Sequence, residues 1–176
     1  MGQLLDQFGR HLGLASPCGA EIERLAHKSS RNYVVLPYSI KGNDVTFSGI
    51  LSAAKRLIST NKFPVEDICY SIQETAFAMI TEAIERALSA TEKKELLLVG
   101  GVSANKQLSK MLNLACQRHK VKFNSCPVSF AGDNGAQIAW TGILSYLKSK
   151  NSINISDSFI NQSWRVDSVD ITWRRN

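Results

Sequence analysis

Between Glu95 and Leu112 an apolar run, ELLLV, meets two glycines, Gly100 and Gly101, and then a polar turn that carries Asn105. Glycines at the carboxyl end of a buried strand let a ligand approach the backbone closely, and the N–H groups that open the next helix suit anionic oxygens. The spacing puts Asn105 about one turn into that helix, where its amide can both donate and accept hydrogen bonds to a ribose or a phosphate. A glycine pair also serves a tight strand-to-helix turn with no ligand at all. A second glycine-flanked loop follows, with Asp133 between Gly132 and the capping candidates Asn134 and Gly135. Its carboxylate is either a near-cap group for the next helix or an exposed ligand for a metal ion or a substrate's charged end. Two such loops in succession predict a cleft at one edge of a sheet, and nucleotide binding is the chemistry they suit.

Other chemistries lack residues. The three histidines, His11, His27 and His119, read as surface or helix-terminal groups, and there is no H-E-x-x-H and no nucleophile elbow. The four cysteines, Cys18, Cys69, Cys116 and Cys126, are widely separated and form no C-x-x-C pair, so neither zinc nor a disulfide framework is indicated. No run approaches the roughly 20 apolar residues needed to cross a bilayer, and a soluble, cytoplasmic protein with no membrane partner is expected. Lys plus Arg exceed Asp plus Glu by 21 to 15, a net charge of +6 that suits a polyanion such as RNA or is simply a solvated basic surface. The local concentrations are Lys106 to Lys122 and the final WRRN.

The elements that must position these loops follow from periodicity. Leu4, Leu5, Phe8 and Leu12 keep helical spacing up to Gly13, and AEIERLAHK gives a second short helix. YVVLP and DVTFSG read as two strands joined by a turn in PYSIKGN. A short helix follows Gly49, and Pro64 with Glu66 and Asp67 marks the start of a long helix whose apolar face runs from Ile68 to Leu88. From Glu95 the pattern becomes strand LLLVGG, helix SANKQLSKMLNLACQRH, strand VKFNSC and a helix from about Asn134 to Lys148, an α/β layer signature. The tail beyond Asn151 reads as extended chain, with local pairing in RVDSVDITWRR.

Five stretches in this order, LDQFGRHLGL, DVTFSGIL, CYSIQETAFAMITEAIERAL, LLLVGGVSANKQL and AGDNGAQIAWTGIL, resemble the carboxyl-terminal half of the tRNA threonylcarbamoyladenosine synthase family, archaeal and eukaryotic branch. The resemblance runs up to RVDSVDITWR. It implies the second lobe of an actin, sugar-kinase and heat-shock-protein-like α/β fold, a mixed sheet flanked by helices, with residues 1–150 forming the lobe and 151–176 an extended tail packed on it. It further implies transfer of a threonylcarbamoyl group from threonylcarbamoyl-adenylate to the adenosine just 3′ of the tRNA anticodon, with ATP or AMP as related ligands. A KEOPS-type complex with a small kinase-like partner and a dimerising subunit is implied as well.

Residue by residue, the resemblance places substrate binding on Asp6, Gly19, Glu23 and Asn105, beside the Gly100 and Gly101 already singled out, and metal ligation on Asp133. None of these is a catalytic acid, base or nucleophile. The complete protein would hold one divalent ion per subunit, iron or zinc, with magnesium accompanying nucleotide as a third option. Two departures stand out. The family's Pro-Gly-Gly-Pro is Pro17, Cys18, Gly19 and Ala20 here, and the family's metal-binding histidine pair has no counterpart, since the chain contains no H-x-x-x-H. The resemblance places Met1 near the family's midpoint, as in a split or truncated chain, so this chain alone is expected to be inactive and metal-poor. The competing readings are a lobe of another ATPase or sugar kinase of the same superfamily, and a non-catalytic partner-binding module.

Overall fold

Leu4, Leu5 and Phe8 lie on one side of the first helix, α1 (Gly2–His11), and all three are buried. The computed structural model describes residues 1–132, 134–165, 168–169, 171 and 173, in two compact units, 1–132 and 133–176. In the first unit α1 ends where Gly13 takes a left-handed φ of 80°, and the Leu14 N–H returns to the Gly9 carbonyl at 2.9 Å. The next helix, α2 (Gly19–His27), turns Ile22 and Ala26 inward.

Tyr33 to Pro37 does not form the strand that its apolar run predicts. Val34 and Leu36 are buried while Val35 is 83% exposed, yet among the described residues no second strand lies beside them. The segment instead pairs with helix hydroxyls: the Val34 N–H donates to Ser71 Oγ at 2.8 Å, and Tyr33 Oη lies 2.8 Å from Thr75 Oγ1. The antiparallel pair that does form is short, β1 (Ile40–Lys41) with β2 (Asp44–Val45), turning at Gly42 and Asn43. Then come α3 (Ser48–Thr60) and α4 (Val65–Thr91).

The long helix α4 is the spine of this unit. Pro64 caps it, Glu66 and Asp67 occupy its first turn, and Glu92 ends it in a left-handed conformation. It contributes to three apolar clusters in turn: Ile68, Ile72 and Met79 against α1 to α3, Phe77 against Leu108 and Leu112, and Leu88 against Cys116 and Val121. Asp67, buried near its start, accepts from Ser29 Oγ at 2.5 Å and Ser30 Oγ at 3.2 Å. One turn on, Ser71 Oγ donates to the Asp67 carbonyl while accepting the Val34 N–H. Ser71→Ala leaves that buried N–H unmet, so a loss of about 1–3 kcal/mol is expected in a denaturant titration. A change within a few tenths would show that Val34 finds another acceptor.

The hairpin is held to the middle of α4 by Tyr38, which donates to Glu82 Oε2 at 2.6 Å, while Arg86 pairs with Glu82 and donates to the Gly42 carbonyl at 3.0 Å. Partial burial, then the bond to the Glu82 carboxylate, pushes the Tyr38 hydroxyl up to about 12. The same bond, with Arg86 beside it, holds Glu82 below its ordinary value of 4.5. The raised tyrosine contributes stability that is complete below its usual range near 10 and lost as pH rises through about 12. Glu82 contributes stability that is complete above 4.5 and lost as pH falls through its lowered value. A phenolate absorbance titration should show one of the four tyrosines ionising late, and Tyr38→Phe should remove that step. A titration whose most alkaline step survives Tyr38→Phe unchanged would break the assignment.

The second half of the unit is a parallel β-α-β turn. Strand β3 (Glu95–Leu98) pairs with β4 (Lys122–Ser125), Leu96 opposite Phe123 and Leu98 opposite Ser125, and α5 (Lys106–Arg118) crosses between them. A 3-10 turn, Gly101–Ala104, intervenes before α5, so the helix starts later than its sequence pattern suggests. Among the described residues the strands thus pair as two separate ladders, one antiparallel and one parallel, where a mixed sheet was expected. A four-residue helix, α6 (Val128–Ala131), ends the unit. All four cysteines are free thiols.

In the second unit α7 (Gly135–Ser149) is capped by Asn134, whose Oδ1 accepts the Ala136 N–H at 2.9 Å, and ends at a left-handed Lys150. A 3-10 turn, Ile155–Asp157, follows. Of the RVDSVDITWRR stretch, Val166, Asp167, Asp170, Thr172, Arg174 and Arg175 lie outside the described residues. No described helix is long and apolar enough to cross a membrane.

Candidate functional site

Where β3 leaves the sheet, its chain turns through Gly100 and Gly101 beside the starts of α1 and α2, and a cavity of about 650 Å³ opens there. Its apolar lining includes Leu5, Ile80, Leu98, Val102 and Leu108. Its polar lining includes Asp6, Glu23, Ser103 and Asn105, with Gly19, Gly100 and Gly101 as bare backbone. The six residues expected to bind substrate, drawn from three separate segments, therefore line one cavity. It sits at the carboxyl end of a parallel strand, the usual position for a ligand in an α/β layer, and an apolar pocket with a few polar groups suits a nucleoside.

Asp6, Glu23 and Asn105 each have a structural tie that limits what they can offer. Asp6 Oδ1 accepts the Cys18 N–H at 2.7 Å, which fixes α1 against the head of α2. The Cys18 thiol makes sulfur contacts with the carbonyls of Asp6, Leu14 and Ala15. Glu23 Oε1 lies 3.9 Å from His27 Nε2, one helical turn on, so it gains a charged partner when that imidazole is protonated. Gly100 has φ 92°, a conformation that a side chain disfavours, and a Cβ placed at Gly100 or Gly101 would meet no protein atom within 4 Å. The glycines leave room that no atom of the described residues fills.

Asn105 differs from its sequence-based placement. It is the N-cap of α5, not a residue one turn inside, because Gly101–Ala104 form a separate 3-10 turn. Its Oδ1 accepts the Leu108 N–H at 3.0 Å, which occupies the amide's acceptor and leaves the NH2 as the group for a ligand. Ser103 is a residue that the sequence reading missed. It is buried against the same cavity, and among the described residues its hydroxyl has no hydrogen-bond partner. An unmet buried hydroxyl beside a cavity marks a place for a ligand oxygen or an ordered water. A serine just after a glycine pair at a helix start was the available signal.

Asp133, the expected metal ligand, lies outside the described residues. Among the described residues no group of three or more His, Cys, Asp or Glu side chains is placed to hold an ion. A metal centre needs several convergent donors, so the described residues on their own do not fit one.

Comparison with known proteins places this geometry in a family. Residues 1–140 match the family described as tRNA N6-adenosine threonylcarbamoyltransferase. The chain is 48% identical over 173 residues to the tRNA N6-adenosine threonylcarbamoyltransferase of Methanocella arvoryzae, covering 98% of this chain and 52% of that protein. It is 49% identical over 175 residues to a probable bifunctional tRNA threonylcarbamoyladenosine biosynthesis protein of Methanothermobacter thermautotrophicus, covering 99% of this chain and 32% of that one. A protein of the same description from Methanosarcina mazei is 50% identical over 173 residues, with 98% and 31% covered. The chain thus spans about half the length of the first relative and about a third of the two bifunctional ones. With the match running through α1, α2, β3 and α5, the elements that enclose the cavity, the chain belongs to the tRNA N6-adenosine threonylcarbamoyltransferase family.

Proposed function

We propose that this chain supplies the adenylate-binding part of an enzyme that moves a threonylcarbamoyl group from threonylcarbamoyl-adenylate to the adenosine 3′ of a tRNA anticodon. The observation that supports it is the single cavity shared by Asp6, Gly19, Glu23, Gly100, Gly101 and Asn105. In this reading the apolar lining takes the adenine, and the second oxygen of Asp6 together with Glu23 accepts from ribose hydroxyls. The Asn105 NH2 and the N–H groups at the start of α5 donate to phosphate oxygens. The site's task is to hold the mixed anhydride and orient its carbonyl. The exocyclic amine of the adenosine forms a bond to the carbamoyl carbon, the bond from that carbon to the phosphate oxygen breaks, and AMP leaves with the electron pair as the amine loses a proton.

The rest of the active protein, the other lobe of an actin-like fold with the imidazole ligands of a divalent metal, would come from the additional length that the relatives possess. Kinase-like and dimerising subunits in the cytoplasm complete the proposal. The test combines this chain with the amino-terminal half of the Methanocella relative and follows transfer from threonylcarbamoyl-adenylate to unmodified tRNA. Binding of AMP by the chain alone, with transfer only after complementation, is expected. Full transfer by the unaided chain, or none in the complemented protein despite bound AMP, would overturn this division of roles.

A further inference from the structure

Between Glu95 and Asp133 the sequence holds no Asp or Glu, while Lys106, Lys110, Arg118, Lys120 and Lys122 all fall there. This stretch accounts for most of the chain's net charge of +6. The structure lays much of it on one outer surface. Helix α5 turns Leu108, Leu112, Ala115 and Cys116 inward, leaving Lys106, Lys110 and Arg118 exposed, with Lys120 exposed just past its end. At 1.5 Å per residue the row from Lys106 to Arg118 is about 18 Å long.

Two features mark this row. Arg24 and Arg86, on other helices, are each paired with a glutamate one turn away, Glu21 and Glu82. Helix α5 has no carboxylate of its own, and among the described residues Lys106, Lys110, Arg118 and Lys120 have no carboxylate oxygen within 4.0 Å. Helix α3 also carries two such cations, Lys55 and Arg56, but the stretch from Lys106 to Lys120 gathers four. Secondly, α5 opens with Lys106 and has no acid in its first turn, so a cation sits at the positive end of the helix dipole. The carboxylate of Glu74 on α4 reaches this turn, accepting from Gln107 Nε2 at 3.2 Å, but it lies beyond 4.0 Å of the Lys106 ammonium and leaves that cation open to a further anion. The row also begins beside the cavity, because the residue before Lys106 is Asn105, which lines it.

We propose that the outer face of α5, from Lys106 to Lys120, is a track for the sugar–phosphate backbone of RNA that leads to the mouth of the cavity. The exposed amides of Asn113 and Gln117 lie on the same face and can hydrogen-bond to phosphate and 2′-hydroxyl oxygens. A membrane surface fits poorly, since a helix lying on lipid needs a free apolar face and α5 buries its own against α4 and β4. The direction of the track rests on the nucleotide reading of the cavity; its existence does not.

The test measures binding of a tRNA transcript to the chain by fluorescence anisotropy across salt concentrations, for wild type and for Lys110→Ala/Arg118→Ala/Lys120→Ala. Three lost phosphate contacts should lower the slope of log affinity against log salt by about 2 and weaken binding roughly tenfold or more, leaving AMP affinity and the unfolding temperature unchanged. Removing the same charge elsewhere, with Lys41→Ala/Arg56→Ala/Lys62→Ala, should leave the slope in place. Equal losses in both triple variants would mean diffuse attraction and overturn the track. An unchanged slope in the first variant, or polyglutamate or phosphatidylserine vesicles bound as tightly as RNA through the same residues, would overturn it too. Asn105→Asp should lose AMP and keep RNA; a wild-type chain that binds RNA through α5 but no AMP would retain the track and remove the nucleotide reading.

Discussion

Replacing Gly9 with alanine is expected to destabilise the protein, although the same exchange in an exposed helix interior stabilises by about 1 kcal/mol. A Cβ at Gly9 would lie 2.2 Å from Cys18 Cβ and 2.6 Å from its Sγ. Cys18 cannot readily withdraw, because its N–H is bonded to Asp6 at 2.7 Å and its thiol sits among the carbonyls of Asp6, Leu14 and Ala15. Helices α1 and α2 must separate, and the cost belongs at or above the top of the roughly 1–3 kcal/mol range for overpacking. For a chain of this size that lowers the unfolding temperature by about 5–10 °C. Asp6 and Gly19 flank the contact, so AMP affinity should fall with it. Cys18→Gly removes both obstructing atoms, and in that background Gly9→Ala should cost far less, a coupling that a double-mutant cycle reads directly. A Gly9→Ala protein as stable as wild type would show that the two helices do not meet as closely as described.

That contact is the kind of feature the sequence conceals. Gly9 stands inside a good helical pattern with no local reason to be glycine; its reason is a cysteine on the next helix. What periodicity encodes was readable: α4 and the β3-α5-β4 run are long, regular segments whose burial follows their own spacing. Tyr33 to Pro37 differs from the strand expected because an apolar run reports which side chains can be buried, not what receives the backbone hydrogen bonds. Here the Ser71 hydroxyl on α4 accepts the Val34 N–H in place of a partner strand, and Thr75 holds the Tyr33 side chain beside it. Gly100, Gly101 and Asn105 are legible in the strand-to-helix pattern itself, whereas Asp6, Gly19 and Glu23 rest on family resemblance, since nothing local ties Asp6 to Gly100. The unmet hydroxyl of Ser103 and the committed oxygen of Asn105 depend on where one 3-10 turn gives way to α5, a boundary that propensity does not place to the residue.

Asn105 separates stability from binding more cleanly than any other position in the cavity. Its Oδ1 holds the Leu108 N–H at 3.0 Å, so the cap uses the acceptor and only the NH2 faces the ligand role proposed for it. Aspartate keeps an acceptor at the cap and adds charge that the helix dipole favours, so Asn105→Asp should unfold no earlier than wild type. It replaces the donor with a second negative charge beside the phosphate, and AMP should bind about 100-fold more weakly, a loss near 2.7 kcal/mol. Alanine loses both functions more mildly: about 1 kcal/mol of stability with the cap and about tenfold in affinity with the donor. The expected order is therefore aspartate, asparagine, alanine for stability, and asparagine, alanine, aspartate for AMP affinity, read by calorimetric unfolding and titration on the same three proteins. A purely structural Asn105 would give one order for both measurements, with AMP affinity following the unfolding temperature. An aspartate variant that binds AMP like wild type would leave the adenylate phosphate with no reason to be near this helix.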